Sequence, residues 1–171
     1  FYPEASSTCE TKKIISVGRL DEQKGYDMLI DAWETVHKQH PDWKIIIYGN
    51  GELHDILKYA IIQKHLEDSF ILHEPVKDIM NQYLDSSIYV MSSRFEGFGM
   101  VLAEAMACGV PCISFDCPYG PSDIIKDFVD GLMVENGNVV QLAQKISELI
   151  EQEAIRKRMG QQAKLNIKRY S

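Results

Sequence analysis

Residues 88–115 read IYVMSSRFEGFGMVLAEAMACGVPCISF, and this stretch decides the fold. Ile88 to Met91 is apolar throughout and short, so it reads as a strand. The loop Ser92 to Gly97 leads into a helix predicted over Gly99 to Cys108, and Pro111 to Phe115 reads as the next strand. Strands that are apolar throughout, rather than alternating, are buried on both faces, as in a parallel sheet covered by helices.

The same alternation runs outward in both directions. Upstream, the spacing predicts strands over Ile14 to Val17, Trp43 to Tyr48 and Phe70 to Leu72. Helices are predicted over Gly25 to His40, Leu53 to Ile62 and Asp78 to Leu84. In the first of these, Met28, Leu29, Ala32, Trp33 and Val36 recur at helical spacing and give one apolar stripe. Pro41 stops it. Downstream come a strand over Gly131 to Val134 and helices over Val139 to Gln152 and Ala154 to Lys168. Strand–helix repetition at this pace predicts a doubly wound α/β domain, a parallel sheet with helices on both faces. Residues 1–11, with Ser6, Ser7 and Thr8, read as a linker, and residues 12–171 as one domain. A first residue that is Phe1 rather than Met suggests a piece of a longer protein, and no signal peptide is visible in these residues.

Composition sets limits on partners. The net charge of −7 repels phosphate backbones, so no nucleic-acid partner is expected. It would also resist a diphosphate, so a site for one needs local positive charge. No apolar run approaches the ~20 residues needed to cross a bilayer. Cys9, Cys108, Cys112 and Cys117 contain no CxxC pair and no histidine companions at zinc spacing. Cys108 and Cys112, which flank Gly109-Val110-Pro111 in apolar sequence, read as buried, reduced thiols, which fits a cytoplasmic location.

In an open α/β sheet, ligands bind beyond the carboxyl ends of the strands. That rule selects the loops Gly18–Gly25, Gly49–Glu52, His73–Val76 and Ser92–Gly99. The first carries Arg19 and Lys24, a planar donor fork and a compact mobile charge, both suited to phosphate oxygens. Asp21 and Glu22 in the same loop could pair with them locally. The last carries Glu96, Gly97, Phe98 and Gly99, followed by Met100 and Val101 at a helix start whose free amides favour an anion. Glu104 then stands in an otherwise apolar run, with Met100, Val101, Ala107 and Cys108 as its helical neighbours, where a carboxylate is costly unless it accepts hydrogen bonds.

Glu96 and Glu104 could be a hydrolase's acid and nucleophile, which in retaining enzymes stand about 5–5.5 Å apart. Eight residues, mostly helical at ~1.5 Å each, span roughly twice that. The spacing favours one elongated ligand touched at two places. Gly49-Asn50-Gly51 begins a dinucleotide fingerprint, but His54 occupies the place of its third glycine. There is no GxxxxGK[ST] loop and no DxD pair. Histidines 37, 40, 54, 65 and 73 show no metal-binding grouping, so neither metal nor other cofactor is expected.

Three motifs then resemble one family. Val17-Gly18-Arg19-Leu20 with Lys24-Gly25, Ser92 to Gly99, and Glu104 to Pro111 are similar to the group 1 glycosyltransferases of family 4, and Asp130-Gly131-Leu132 adds a fourth match. The resemblance covers about residues 12–171. It implies the C-terminal, donor-binding, Rossmann-like half of a GT-B enzyme that retains anomeric configuration. Carried over residue by residue, Glu96 would meet donor-sugar hydroxyls and Glu104 the ribose. Arg19 and Lys24 would hold the diphosphate, and the amides of Phe98 to Val101 would add contacts to phosphate and sugar. The base would lie near Glu74, Pro75 and Val76, where many relatives carry glycine instead. The implied donor is a nucleotide sugar, UDP-linked first. The implied acceptor is a glycan or lipid-linked glycan in cell-surface polysaccharide synthesis, reached through an N-terminal domain absent here. The full protein would then associate peripherally with the inner membrane face, and this chain alone would transfer little sugar. A GT-B epimerase or phosphorylase, and a non-catalytic nucleotide-sugar-binding scaffold, are the alternatives.

Overall fold

A computed structural model of the protein describes residues 3–97 and 99–170. Six strands form one sheet: β1 (Lys13–Val17), β2 (Lys44–Tyr48), β3 (Phe70–His73), β4 (Ile88–Met91), β5 (Cys112–Phe115) and β6 (Gly131–Val134). Their order is β3-β2-β1-β4-β5-β6 and every pairing is parallel. This order is the doubly wound one, winding one way from β1 to β3 and the other way from β4 to β6. The reversal falls between β1 and β4, where such sheets open a crevice.

The helices are α1 (Tyr26–Gln39), α2 (His54–Gln63), α3 (Ile79–Leu84), α4 (Met100–Ala107), α5 (Pro121–Ile124), α6 (Val139–Glu151) and α7 (Glu153–Asn166), with a closing 3-10 turn at Ile167–Tyr170. They cover both faces, because neighbouring strand residues point oppositely. Ile14, Val90 and Ile113 join Leu29 and Trp33 of α1, Leu57 of α2 and Ile146 of α6 in one core. Ile15, Tyr89 and Cys112 join Tyr83 of α3, Leu102 and Met106 of α4, and Ala163 of α7 in the other. All four residues of β4 and of β5 are buried, as double-sided coverage requires. Trp33 is wholly buried with its indole N–H donated to Ser69 Oγ at 3.0 Å. Burial of one such ring contributes about 2–3 kcal/mol or more.

The expected elements are present with shifted ends. Gly25 and Gly99 are not helical but left-handed N-caps, at φ 64° and 61°. β5 starts at Cys112, while the Pro111 carbonyl still accepts from Tyr89 N at 3.0 Å. The one-turn helix α5 was not expected. Residues 3–11, read above as a linker, contain no helix or strand, yet they lie against the domain. Ser7 N donates to Cys108 O at 2.8 Å, Arg156 Nε to Cys9 O at 2.9 Å, and Lys164 Nζ to Ala5 O at 2.7 Å.

Candidate functional site

The two loops at the reversal point, after β1 and after β4, are bonded into one unit. Arg94 N donates to Gln23 O at 2.8 Å, Ser92 Oγ to Lys24 O at 2.9 Å and Gln23 Nε2 to Phe95 O at 3.2 Å. The Arg94 guanidinium forks onto both Asp27 oxygens at 3.0 and 2.7 Å and also reaches Glu22 O. The Asp27 bond holds the Arg94 pKa above its ordinary value. Burial works against ionisation of Asp27, but Arg94 outweighs it and keeps that carboxyl below the usual range.

Gly25 is what lets the loops approach so closely. Its φ of 64° suits glycine, and a Cβ there would stand 2.0 Å from Ser92 O. No other residue fits without moving β4's end.

Inside this junction sits Glu96, 7% exposed. Lys24 Nζ and Ser93 Oγ both donate to its Oε2, each at 2.7 Å. Lys24 is itself only 17% exposed, so the ion pair is largely withdrawn from water. A carboxylate so placed is tolerable because two donors, one of them charged, compensate its lost hydration. The Glu96 amide donates to Pro118 O at 3.2 Å, tying in the loop after β5. That loop contributes Cys117, whose thiol is pushed up to about 11 by burial and then by the Glu96 charge. It also contributes Tyr119, 77% exposed and left-handed at φ 66°.

The site residues read from sequence divide into groups. Lys24 and Glu96 come together. Arg19 lies outside that pair: its side chain is 65% exposed and its ionic partner is Asp21, 3.7 Å away. Asp21 also accepts from the Lys24 backbone N–H at 3.2 Å, whereas the Lys24 ammonium goes to Glu96 and not to the acids of its own loop.

On the facing helix, Gly99 caps α4 from the left-handed region, Met100 is 67% exposed and Val101 is half-buried. Gly97 is exposed, and a Cβ on it would meet nothing within 4 Å. Phe98 lies outside the described residues. Glu104 is half-buried and accepts from Tyr83 OH at 3.3 Å. At the end of β3, Glu74 and Pro75 are exposed, and Val76 packs partly into the second core.

Sequence reasoning missed Ser93 and Tyr83, and did not select the loop after β5. The carboxyl-edge rule that selected four loops applies equally to this fifth one. No group of three or more His, Cys, Asp or Glu among the described residues is placed to hold a metal ion.

Comparison with known proteins bears on this geometry. Residues 4–166 match the family described as "Glycosyl transferases group 1". The amylovoran biosynthesis glycosyltransferase AmsD of Erwinia amylovora is 40% identical over 158 residues, 92% of this chain and 44% of the relative. The poly(ribitol-phosphate) alpha-N-acetylglucosaminyltransferase of Staphylococcus aureus is 34% identical over 159 residues, 92% of this chain and 32% of the relative. Among solved structures, a complex of S. aureus TarM with fondaparinux, alpha-GlcNAc-glycerol and UDP superposes with a TM-score of 0.93 at 32% identity, covering 100% of this chain and 34% of that one. The pneumococcal O-GlcNAc transferase GtfA with UDP and GlcNAc gives 0.89 at 26%, covering 99% and 35%. The chain thus spans less than half the length of these relatives.

Proposed function

The chain belongs to the group 1 glycosyl transferases, and we propose that it forms the donor-binding half of a retaining transferase. The donor is a UDP-linked hexose or N-acetylhexosamine, and the acceptor a glycan or lipid-linked glycan of a cell-surface polysaccharide. The observation that carries this reading is the Lys24–Glu96–Ser93 cluster, buried at the sheet's reversal point. The UDP present in the TarM and GtfA complexes supports the nucleotide.

Each residue then has a task. Glu96, already ordered by two donors, accepts hydrogen bonds from donor-sugar hydroxyls through its remaining lone pairs. Lys24 shares its charge between Glu96 and the diphosphate. Arg19, exposed at the rim, closes onto the outer phosphate. The free amides at the start of α4 add a positive dipole end. When the sugar–phosphate bond breaks, the electron pair leaves with the diphosphate, and Lys24, Arg19 and these amides stabilise the new charge without a metal. Glu104 takes the ribose hydroxyls, and the residues Glu74 to Val76 flank the base. Glu96 orients the sugar rather than attacking it, so the acceptor approaches on the face the diphosphate leaves. No described helix is long and apolar enough to cross a membrane, and an acceptor at the inner membrane face would be met peripherally.

Thermal shift of the chain against UDP-, GDP- and ADP-linked sugars tests the reading. A UDP-sugar at about 100 times Kd stabilises by about 2.7 kcal/mol. Lys24→Met should abolish most of that shift, and Glu96→Ala should remove the increment of UDP-sugar over UDP while sparing UDP itself. No stabilisation by any of the compounds, or equal stabilisation of both variants, refutes the proposal.

A further inference from the structure

Three buried tyrosines lie beneath the site, and the roles above use none of them. Tyr26, Tyr83 and Tyr89 are each at most 2% exposed. A buried phenol needs a partner for its hydroxyl, so where each O–H goes is informative. Tyr26 OH stands 3.1 Å from Ser16 Oγ, and Tyr89 OH bridges the Val17 amide and carbonyl at 3.2 Å each. Those two steady the end of β1. Tyr83 differs, because its hydroxyl meets a side chain assigned to the ligand, Glu104 Oε2, at 3.3 Å.

Tyr83 is a fixed point. It is wholly buried on α3, a helix N-capped by Asp78, and its ring packs on Tyr89 with centroids 6.1 Å apart. Glu104 is not fixed by its own helix, where its neighbours are apolar and Leu102, Ala105 and Met106 face the core. Among the described residues, Tyr83 is the side-chain donor recorded for its carboxylate. A carboxylate on a flexible stem that recognises two adjacent hydroxyls recognises them better when its orientation is already set. Burial and then the Glu104 charge push the Tyr83 pKa upward, so the phenol stays a donor throughout the physiological range.

We propose that Tyr83 is a positioning residue which holds the Glu104 carboxylate in place and thereby sets the preference for ribose over deoxyribose nucleotides. This rests on the assignment of Glu104 to the ribose. The test is calorimetric titration of the chain with UDP and with its 2′-deoxy analogue. The unsubstituted chain should prefer UDP by about tenfold or more, the worth of one hydrogen bond to a charged group. Tyr83→Phe keeps the ring and its packing on Tyr89, so the fold persists, and its melting curve checks this. In that variant the preference should fall below about threefold, with affinity for UDP falling more than affinity for the deoxy compound, which keeps only its 3′ hydroxyl for Glu104. Glu104→Gln should produce the same collapse, and the double variant no further one.

Tyr83→Phe with an intact preference overturns the proposal, as does an equal loss of affinity for both nucleotides. An unsubstituted chain that binds both equally removes Glu104 from the ribose and the proposal with it. Failure to bind either nucleotide overturns the donor-site reading itself.

Discussion

Lys24→Met is the sharpest perturbation of the site, because it removes the charged partner of a carboxylate that has little access to water. Glu96 is 7% exposed and would keep only Ser93 Oγ, at 2.7 Å, as a side-chain donor. Breaking a fully buried ion pair from one side costs about 3–5 kcal/mol. Here Lys24 is 17% exposed and Ser93 remains, which lowers the expected cost to about 2–3 kcal/mol. In a domain of this size, 1 kcal/mol moves the melting temperature about 2–4 °C, so the midpoint should fall by roughly 4–12 °C. Urea unfolding followed by tryptophan fluorescence measures the cost directly, since Trp33 and Trp43 are both buried. Adding Glu96→Gln removes the stranded charge, so the double variant should be more stable than Lys24→Met alone. A single variant costing under about 0.5 kcal/mol, or two costs that simply add, refutes the coupling.

Gly25→Ala should destabilise by more than about 2 kcal/mol, because it combines a left-handed backbone with a clash 2.0 Å from Ser92 O. Gly97→Ala meets open space and should stay within about 0.5 kcal/mol in the same urea experiment. Arg156→Met should cost about 3 kcal/mol, since the buried guanidinium donates to the carbonyls of Cys9, Leu149 and Ile150 and stacks on Trp43. Faster proteolysis of residues 3–11 should accompany that loss. Burial raises all four cysteines, with Cys108 and Cys117 both pushed up to about 11 from 9.0. The unfolded thiols therefore ionise first, and stability present below pH 9 is lost as pH rises toward 11. Iodoacetamide at pH 8 should leave the folded chain nearly unlabelled and modify four thiols in urea; rapid labelling of the folded chain contradicts the burial.

What the chain's order of residues reveals depends on the range of the interaction. β4 was legible because it is apolar at every position and β5 because Ser114 alone interrupts it, a pattern that fits strands covered on both faces. α5 was not, because Pro121 to Ile124 make one turn, too short for any periodicity. Glu104 stood out locally, as a carboxylate among Met100, Val101, Ala107 and Cys108. Its partner Tyr83 did not, since the contact needs α3 and α4 to pack across 21 residues of chain.

The same holds for Lys24 and Glu96. Each was singled out from its own loop, but their pairing spans 72 residues and exists only because β1 and β4 are neighbours in the sheet. Once that adjacency is known, much of the site's construction follows. Gly25 must be glycine because the two strand ends touch, the touching withdraws Glu96 from water, and Glu96 then needs Lys24 and Ser93. Arg19 belongs to the same loop but falls outside this closed circuit, exposed, with the half-buried Asp21 as its partner. The site thus combines a rigid, internally neutral part with a cation left on its rim. That division suits the proposed roles, in which Arg19 moves onto a charged ligand while Lys24 and Glu96 stay in place.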